Sequence, residues 1–142
     1  MNIRHAIESL IRPSTVAYAH CDIPCGIYDP KAAQIGAETV EKMMTLIADL
    51  GQIDSAEKAN SFSRYVAVKE EHSELVKREV RVIWGDYIKP PHVEAYPDIH
   101  EKVWHIMQLG SACRQGIDLT DAQALRAAVD EFAEIFWATK QG

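Results

Sequence analysis

Apolar residues recur every three or four positions through four separate stretches of this chain, and glycine or proline punctuates the gaps between them. That spacing marks one face of an α-helix. In the first stretch Ile35, Val40, Met43, Met44, Ile47 and Leu50 form the apolar stripe. Asp29-Pro30 ahead of it pairs a capping carboxylate with a proline at the first helical position, and Gly51 ends it. The second stretch starts at Ser55 or Ser61 and runs to Trp84. Its inward set is Phe62, Tyr65, Val66, Val68, Leu75, Val76, Val80, Ile83 and Trp84, with Lys69, Glu70, Lys77 and Glu79 on a solvent face. Gly85 to Tyr96 is proline-rich and is predicted to be non-helical. The third helix begins near Pro97 or Asp98, carries Ile99, Val103, Trp104, Ile106, Met107 and Leu109, and stops at Gly116. Thr120 with Gln123 makes a capping box for the fourth, which presents Leu125, Ala128, Val129, Phe132, Ile135 and Phe136. No stretch alternates as a strand does. The expected fold is all-α, an antiparallel four-helix bundle with short connections.

Composition narrows the function classes. The 142 residues suffice for one domain. No run approaches the ~20 uncharged apolar residues of a membrane helix, so no membrane partner is expected. A net charge of −6 argues against nucleic acid, whose binding needs concentrated positive charge. It leaves room for a small anionic substrate, because the local field matters more than net charge. Three cysteines are too few for a disulfide framework. Cys113 stands alone and reads as an unbridged core thiol. His92, His100 and His105 read as structural or surface histidines.

The other two cysteines lie in the segment His20-Cys21-Asp22-Ile23-Pro24-Cys25-Gly26-Ile27-Tyr28-Asp29-Pro30. Pro24 restricts the backbone between the thiols and Gly26 permits a tight turn just after the second. So short a loop can wrap both sulfurs around one ion, and thiolates favour soft metals or nickel in a planar thiolate/nitrogen site. Spacing alone leaves open a second reading, two buried small hydrophobes plus a surface histidine. Residues 1–19 likewise read two ways: a short helix from Ile3 to Ile11 with a linker broken at Pro13, or a leader ending at Ala17-Tyr18-Ala19. Glu8, Arg12 and Pro13 interrupt every apolar run a secretory signal needs, so the expected location is the cytoplasm, where thiols also stay reduced.

The segment His-Cys-Asp-x-Pro-Cys-Gly-x-Tyr-Asp-Pro closely resembles the nickel hook of nickel-containing superoxide dismutases. The resemblance continues through Asp86-Tyr87-x-Lys89-Pro90-Pro91-His92, Tyr96-Pro97-x-x-His100 and Ile135-Phe136-Trp137-x-Thr139-Lys140. It implies a leader, residues 1–19, that a dedicated protease removes, and a hook-and-bundle domain over residues 20–142. It implies one nickel ion per subunit, held by His20, Cys21 and Cys25: the free amine of His20, the backbone nitrogen of Cys21 and both thiolates in plane, with the His20 imidazole axial in the oxidised state. The implied reaction is disproportionation of superoxide to O2 and H2O2 by Ni(II)/Ni(III) cycling. The resemblance gives Tyr28 the role of a gate over the open face and sets Asp22 beside the entry. It makes Tyr87 the hydrogen-bond partner of the gate tyrosine and Lys89 a positive charge near the hook. The assembly it implies is a homo-oligomer, a hexamer whose neighbouring subunits help to protect the hooks.

One pair of positions departs from the family pattern. A glutamate in the first helix and an arginine in the second ordinarily orient the axial histidine; by register those positions are Gly36 and His72 here. Histidine ligands normally donate their second ring nitrogen to such a group. His72 is expected to replace the pair, or Glu38 or Glu71 reaches in. The departure also motivates an alternative, a non-enzymatic nickel- or copper-binding bundle that keeps the hook. A further alternative is a plain helical interaction domain whose hook cysteines pair when oxidised.

Overall fold

Small residues decide which face of the first helix goes inward. In the computed structural model, which describes residues 26–141, α1 spans Lys31–Leu50 and buries Ala33, Gly36, Ala37, Val40, Met44 and Ile47. These six keep strict helical spacing, and the short ones let α1 lie close against its neighbour. Ile35, expected inward, lies off this stripe and is 50% exposed. Pro30 stands at the cap position, one residue later than expected, and the Asp29 carboxylate ahead of it accepts from the Lys31 N–H at 2.7 Å. Gly51 ends the helix with φ 59° and donates to the Ala48 carbonyl.

Helix α2, Ala56–Val82, starts at Ser55, whose hydroxyl accepts from the Lys58 N–H. Its buried residues are Lys69, Ser73, Val76 and Val80, and Ile83 follows in the same line. Lys69 therefore belongs to the interior, not to the expected solvent face, and Trp84 is 38% exposed rather than inward. The helix does not simply stop there. Ile83–Tyr87 forms a π-helical turn, with the Ile88 N–H donating to the Ile83 carbonyl. The wider turn carries Trp84 outward and returns Ile88 to the core.

The proline-rich stretch is partly helical, contrary to expectation: Pro90–Ala95 forms the short helix α3. Prolines at the first two positions of a helix lose only N–H groups that have no intrahelical acceptor, so they start α3 instead of preventing it. Helix α4, Ile99–Gln115, ends at Gly116 as expected and buries Ile99, Val103, Ile106 and Cys113. Trp104, expected in its stripe, is 61% exposed. Helix α5 is Leu119–Lys140. Its cap is Asp118, not the expected Thr120 with Gln123: the Asp118 carboxylate accepts both the N–H and the hydroxyl proton of Thr120.

The four long helices close into a ring in which α1 packs on α2 and α5, and α4 packs on α2 and α5. Cross-links give their directions. Gln34 reaches Asp130 and Arg126 reaches Glu41, so α1 and α5 run oppositely. Lys69 meets the end of α4 at Cys113, while Trp84 meets its beginning at His100, so α2 and α4 also run oppositely. The fold is the all-α helical bundle that the periodicity implied. Among the described residues every buried side-chain nitrogen and oxygen has a hydrogen-bond partner, and no helix is long and apolar enough to cross a membrane.

Candidate metal centre

The described part of the hook is its exit. His20, Cys21, Asp22 and Cys25, together with the proposed leader, lie outside the described residues. Gly26 follows with φ 62°, a conformation that favours glycine, so the chain turns sharply just after the second thiol. Ile27 is exposed, Tyr28 is half-buried against the core, and Pro30 is buried. With the Asp29 carboxylate on the first N–H of α1, the exit of the hook is tied to the bundle within four residues of Gly26.

Tyr28 meets Tyr87, with ring centroids 5.5 Å apart at 48°. The π-helical turn positions Tyr87, and the C-terminal turn of α5 then holds it. The Tyr87 ring lies 4.8 Å from Phe136. Its hydroxyl is 2.9 Å from the Thr139 hydroxyl. The Lys140 ammonium sits 4.7 Å from the ring centroid, a cation–π distance. His92 stacks on the same ring at 5.0 Å and 20°, while its Nδ1 accepts from the Lys89 backbone N–H. Tyr28 and Tyr87 are thus brought together. The Lys89 side chain is exposed, on the rim of a groove lined by Trp84, Ile88, Pro90 and Val93. Thr139, Lys140 and His92 had no assigned role in the sequence reading. All three lie in the quoted motifs, but contacts between residues 52 positions apart leave no local signal.

Gly36 and His72 share one helix crossing. A Cβ on Gly36 would stand 2.9 Å from Val76 Cγ2 and 3.4 Å from the His72 carbonyl oxygen. No side chain fits at position 36 without moving Val76. His72 is half-buried, and its Nδ1 donates to the Val68 carbonyl at 2.8 Å if that nitrogen carries the proton, as a carbonyl partner requires. The ring lines a groove of about 370 Å³ with Glu71, Leu75 and Arg78. Glu38 and Glu71 are both exposed.

The described residues bring together no group of three histidine, cysteine or acidic side chains able to hold a metal ion. Cys113 is free and buried, and burial pushes its thiol up to about 11, so it stays protonated and unsuited to ligation. The donors that remain are those of the hook. Two thiols, an imidazole and main-chain nitrogen are a set that fits nickel in planar coordination. A helical bundle that ties such a segment to a tyrosine corner is a scaffold for a redox metal.

Comparison with known proteins reaches the same class. The sequence pattern of the nickel-containing superoxide dismutase family matches residues 15–140. The Streptomyces coelicolor superoxide dismutase [Ni] is 36% identical over 135 residues, covering 95% of this chain and 98% of that protein. The Streptomyces seoulensis enzyme of the same name is 34% identical over the same length. A native nickel superoxide dismutase structure superposes with a TM-score of 0.76 at 37% identity, covering 87% of this chain and all of the other. The chain belongs to the nickel-containing superoxide dismutase family.

Proposed function

We infer that this chain is a superoxide dismutase that uses nickel. The observation that carries the reading is the family match over residues 15–140, which contains the whole hook, the tyrosine corner and the C-terminal Thr139-Lys140. Two superoxide ions and two protons become O2 and H2O2. When bound, nickel supplies the one-electron couple that passes an electron from one superoxide to the next, and the protein supplies geometry, access and protons.

In this reading the metal is held by His20, Cys21 and Cys25. A free amine at His20 exists only after the chain is cut, so residues 1–19 act as a leader that a protease removes. The coverage figures support this: the solved enzyme aligns along its full length yet spans only 87% of the 142 residues here, leaving about 18 without a counterpart. Tyr28 gates the open face, Tyr87 supports it, Lys89 attracts the anion, and Asp22 sits beside the entry. His72 takes over the task of the missing carboxylate–guanidinium pair. Its Nδ1 is taken by the Val68 carbonyl, which leaves Nε2 as the ring nitrogen available to the axial histidine. The exposed Trp104, Ile27 and Ile35 are consistent with a homo-oligomer, and a hexamer is the assembly proposed. The cytoplasm is the proposed location.

Intact mass with metal analysis tests cleavage before His20 and nickel stoichiometry together. The processed protein is expected to hold one nickel per chain, show a rhombic Ni(III) spin-resonance signal and turn over superoxide, with all three lost in Cys25→Ser. Stable nickel binding without turnover would favour the non-enzymatic alternative. An unchanged Ni(III) spectrum and unchanged activity in His72→Ala would remove His72 from the site.

A further inference from the structure

The proton on Thr139 has one place to go. Its Oγ1 lies 2.6 Å from the Phe136 carbonyl oxygen and 2.9 Å from the Tyr87 hydroxyl oxygen. The carbonyl can only accept, and two oxygens 2.6 Å apart with no proton between them repel. The threonine proton therefore lies on the Phe136 bond, and Thr139 offers Tyr87 nothing but lone pairs. The Tyr87 hydroxyl must then be the donor in the Tyr87–Thr139 bond.

A phenol has a single proton. Once Tyr87 gives it to Thr139, the Tyr87 oxygen presents only acceptor capacity to any group on its other side. The hook exit is the neighbouring segment, since the Tyr28 ring is 5.5 Å from the Tyr87 ring. We propose that Thr139 is a positioning residue that fixes the direction of hydrogen bonding at Tyr87, so that Tyr87 receives a proton donor from the hook side and supplies none. The same turn of α5 holds the ring as well as the proton, through Phe136 at 4.8 Å and the Lys140 ammonium at 4.7 Å. Resting on the dismutase reading, this means that the protons of the H2O2 product reach the site by a route other than the Tyr87 phenol. Tyr87 instead orients a donor near the open face.

The test uses the full chain and has two arms. Proton NMR of the nickel-free protein is expected to show a slowly exchanging Tyr87 hydroxyl proton with a cross-peak to the Thr139 methyl. Thr139→Ser should keep the slow exchange and Thr139→Val should abolish it; an unchanged signal in Thr139→Val overturns the proposal. In the processed nickel enzyme, Thr139→Val should lower kcat/KM for superoxide about fivefold, the worth of one neutral hydrogen bond, with nickel content unaltered. Thr139→Ser should restore it. Added to Tyr87→Phe, Thr139→Val should cost nothing further; an equal loss in both backgrounds would reduce Thr139 to a packing residue and overturn the proposal. If the processed chain takes up no nickel, the dismutase reading fails while the NMR arm still decides the role of Thr139.

Discussion

The ammonium of Lys69 ends inside the bundle, 2.7 Å from the carbonyl oxygen of Cys113. It donates two more bonds, to the carbonyls of Arg114 and Gly116, both at 2.8 Å. Cys113 and Arg114 lie in the last turn of α4 and Gly116 is its cap, where the helix leaves acceptors without intrahelical donors and carries partial negative charge. One lysine on α2 therefore caps another helix and neutralises its end. Burial pulls the affinity of Lys69 for its proton below that of an ordinary lysine, while three carbonyls hold the proton in place. Lys69→Met keeps the stem and removes the donors. It should lower unfolding stability by about 2–4 kcal/mol, measured by urea titration at neutral pH, because three acceptors are left buried or half-buried with none. A change within experimental error would mean that water replaces the ammonium.

Cys113 supplies a pH dependence. Burial raises its thiol to about 11, above the ordinary value of 9. The unfolded chain loses this proton first, so between pH 9 and pH 11 the unfolded state binds fewer protons and stability falls as pH rises. The contribution is fully present below pH 9 and is lost as pH rises to 11, a loss on the order of 2 kcal/mol. Cys113→Val should flatten that part of the stability profile. In the native protein at pH 8, Cys113 should react with a thiol reagent only when the chain unfolds.

The crossing of α1 and α2 at Gly36 leads to a sign that can be checked. A Cβ there meets Val76 Cγ2 at 2.9 Å, and Val76 is fully buried. Gly36→Ala gains helix propensity yet should destabilise by about 1–2 kcal/mol because the close contact must open. Thermal unfolding of Gly36→Ala with Val76→Ala should show positive coupling, the double variant being more stable than the two single losses summed. For the same reason, restoring a carboxylate by Gly36→Glu should not by itself rebuild the usual support of the axial histidine.

How far the sequence could be read follows from how local each feature is. The four long helices were legible because periodicity is a local signal repeated over many residues. The hook stands out in the sequence because its thiols and imidazole sit within six positions of one another, although those residues lie outside the described ones. Ile35 and Trp104 have the bulk of core residues but not the register of the buried stripes; that of α1 runs through Ala33, Gly36 and Ala37. Lys69 was misread because a lysine in a helical pattern looks solvated, and only the position of the α4 terminus shows what its ammonium satisfies. The motifs place Tyr87 beside Tyr28, as the ring contact shows, but not its bond to Thr139, since the two lie in different motifs and meet only when α5 returns to the end of the π-helical turn.

The cap of α5 offers a direct contest between two local patterns. Thr120 with Gln123 has the form of a capping box, yet Asp118 accepts the Thr120 N–H at 2.9 Å and its hydroxyl at 2.7 Å. Asp118→Ala should cost about 1 kcal/mol in thermal or urea unfolding, and Gln123→Ala almost nothing. The reverse order would restore Thr120 as the cap.

Charge near the hook should appear in the kinetics. The chain carries −6 overall, which repels superoxide at long range, and local cations can offset that repulsion. Two lysines adjoin the tyrosine corner: Lys89, whose N–H meets His92, and Lys140, above the Tyr87 ring. Replacing either by glutamine should lower kcat/KM for superoxide while leaving nickel content and the Ni(III) spectrum unchanged. The loss should shrink as ionic strength rises, because at ~0.1 M salt the Debye length is about 10 Å and both charges are exposed to it. The two should differ in one respect. Lys140 also holds the Tyr87 ring, so Lys140→Gln should keep a deficit at high salt, whereas Lys89→Gln should converge on the parent enzyme. A salt-independent loss in Lys89→Gln would show that Lys89 acts by contact and not by field.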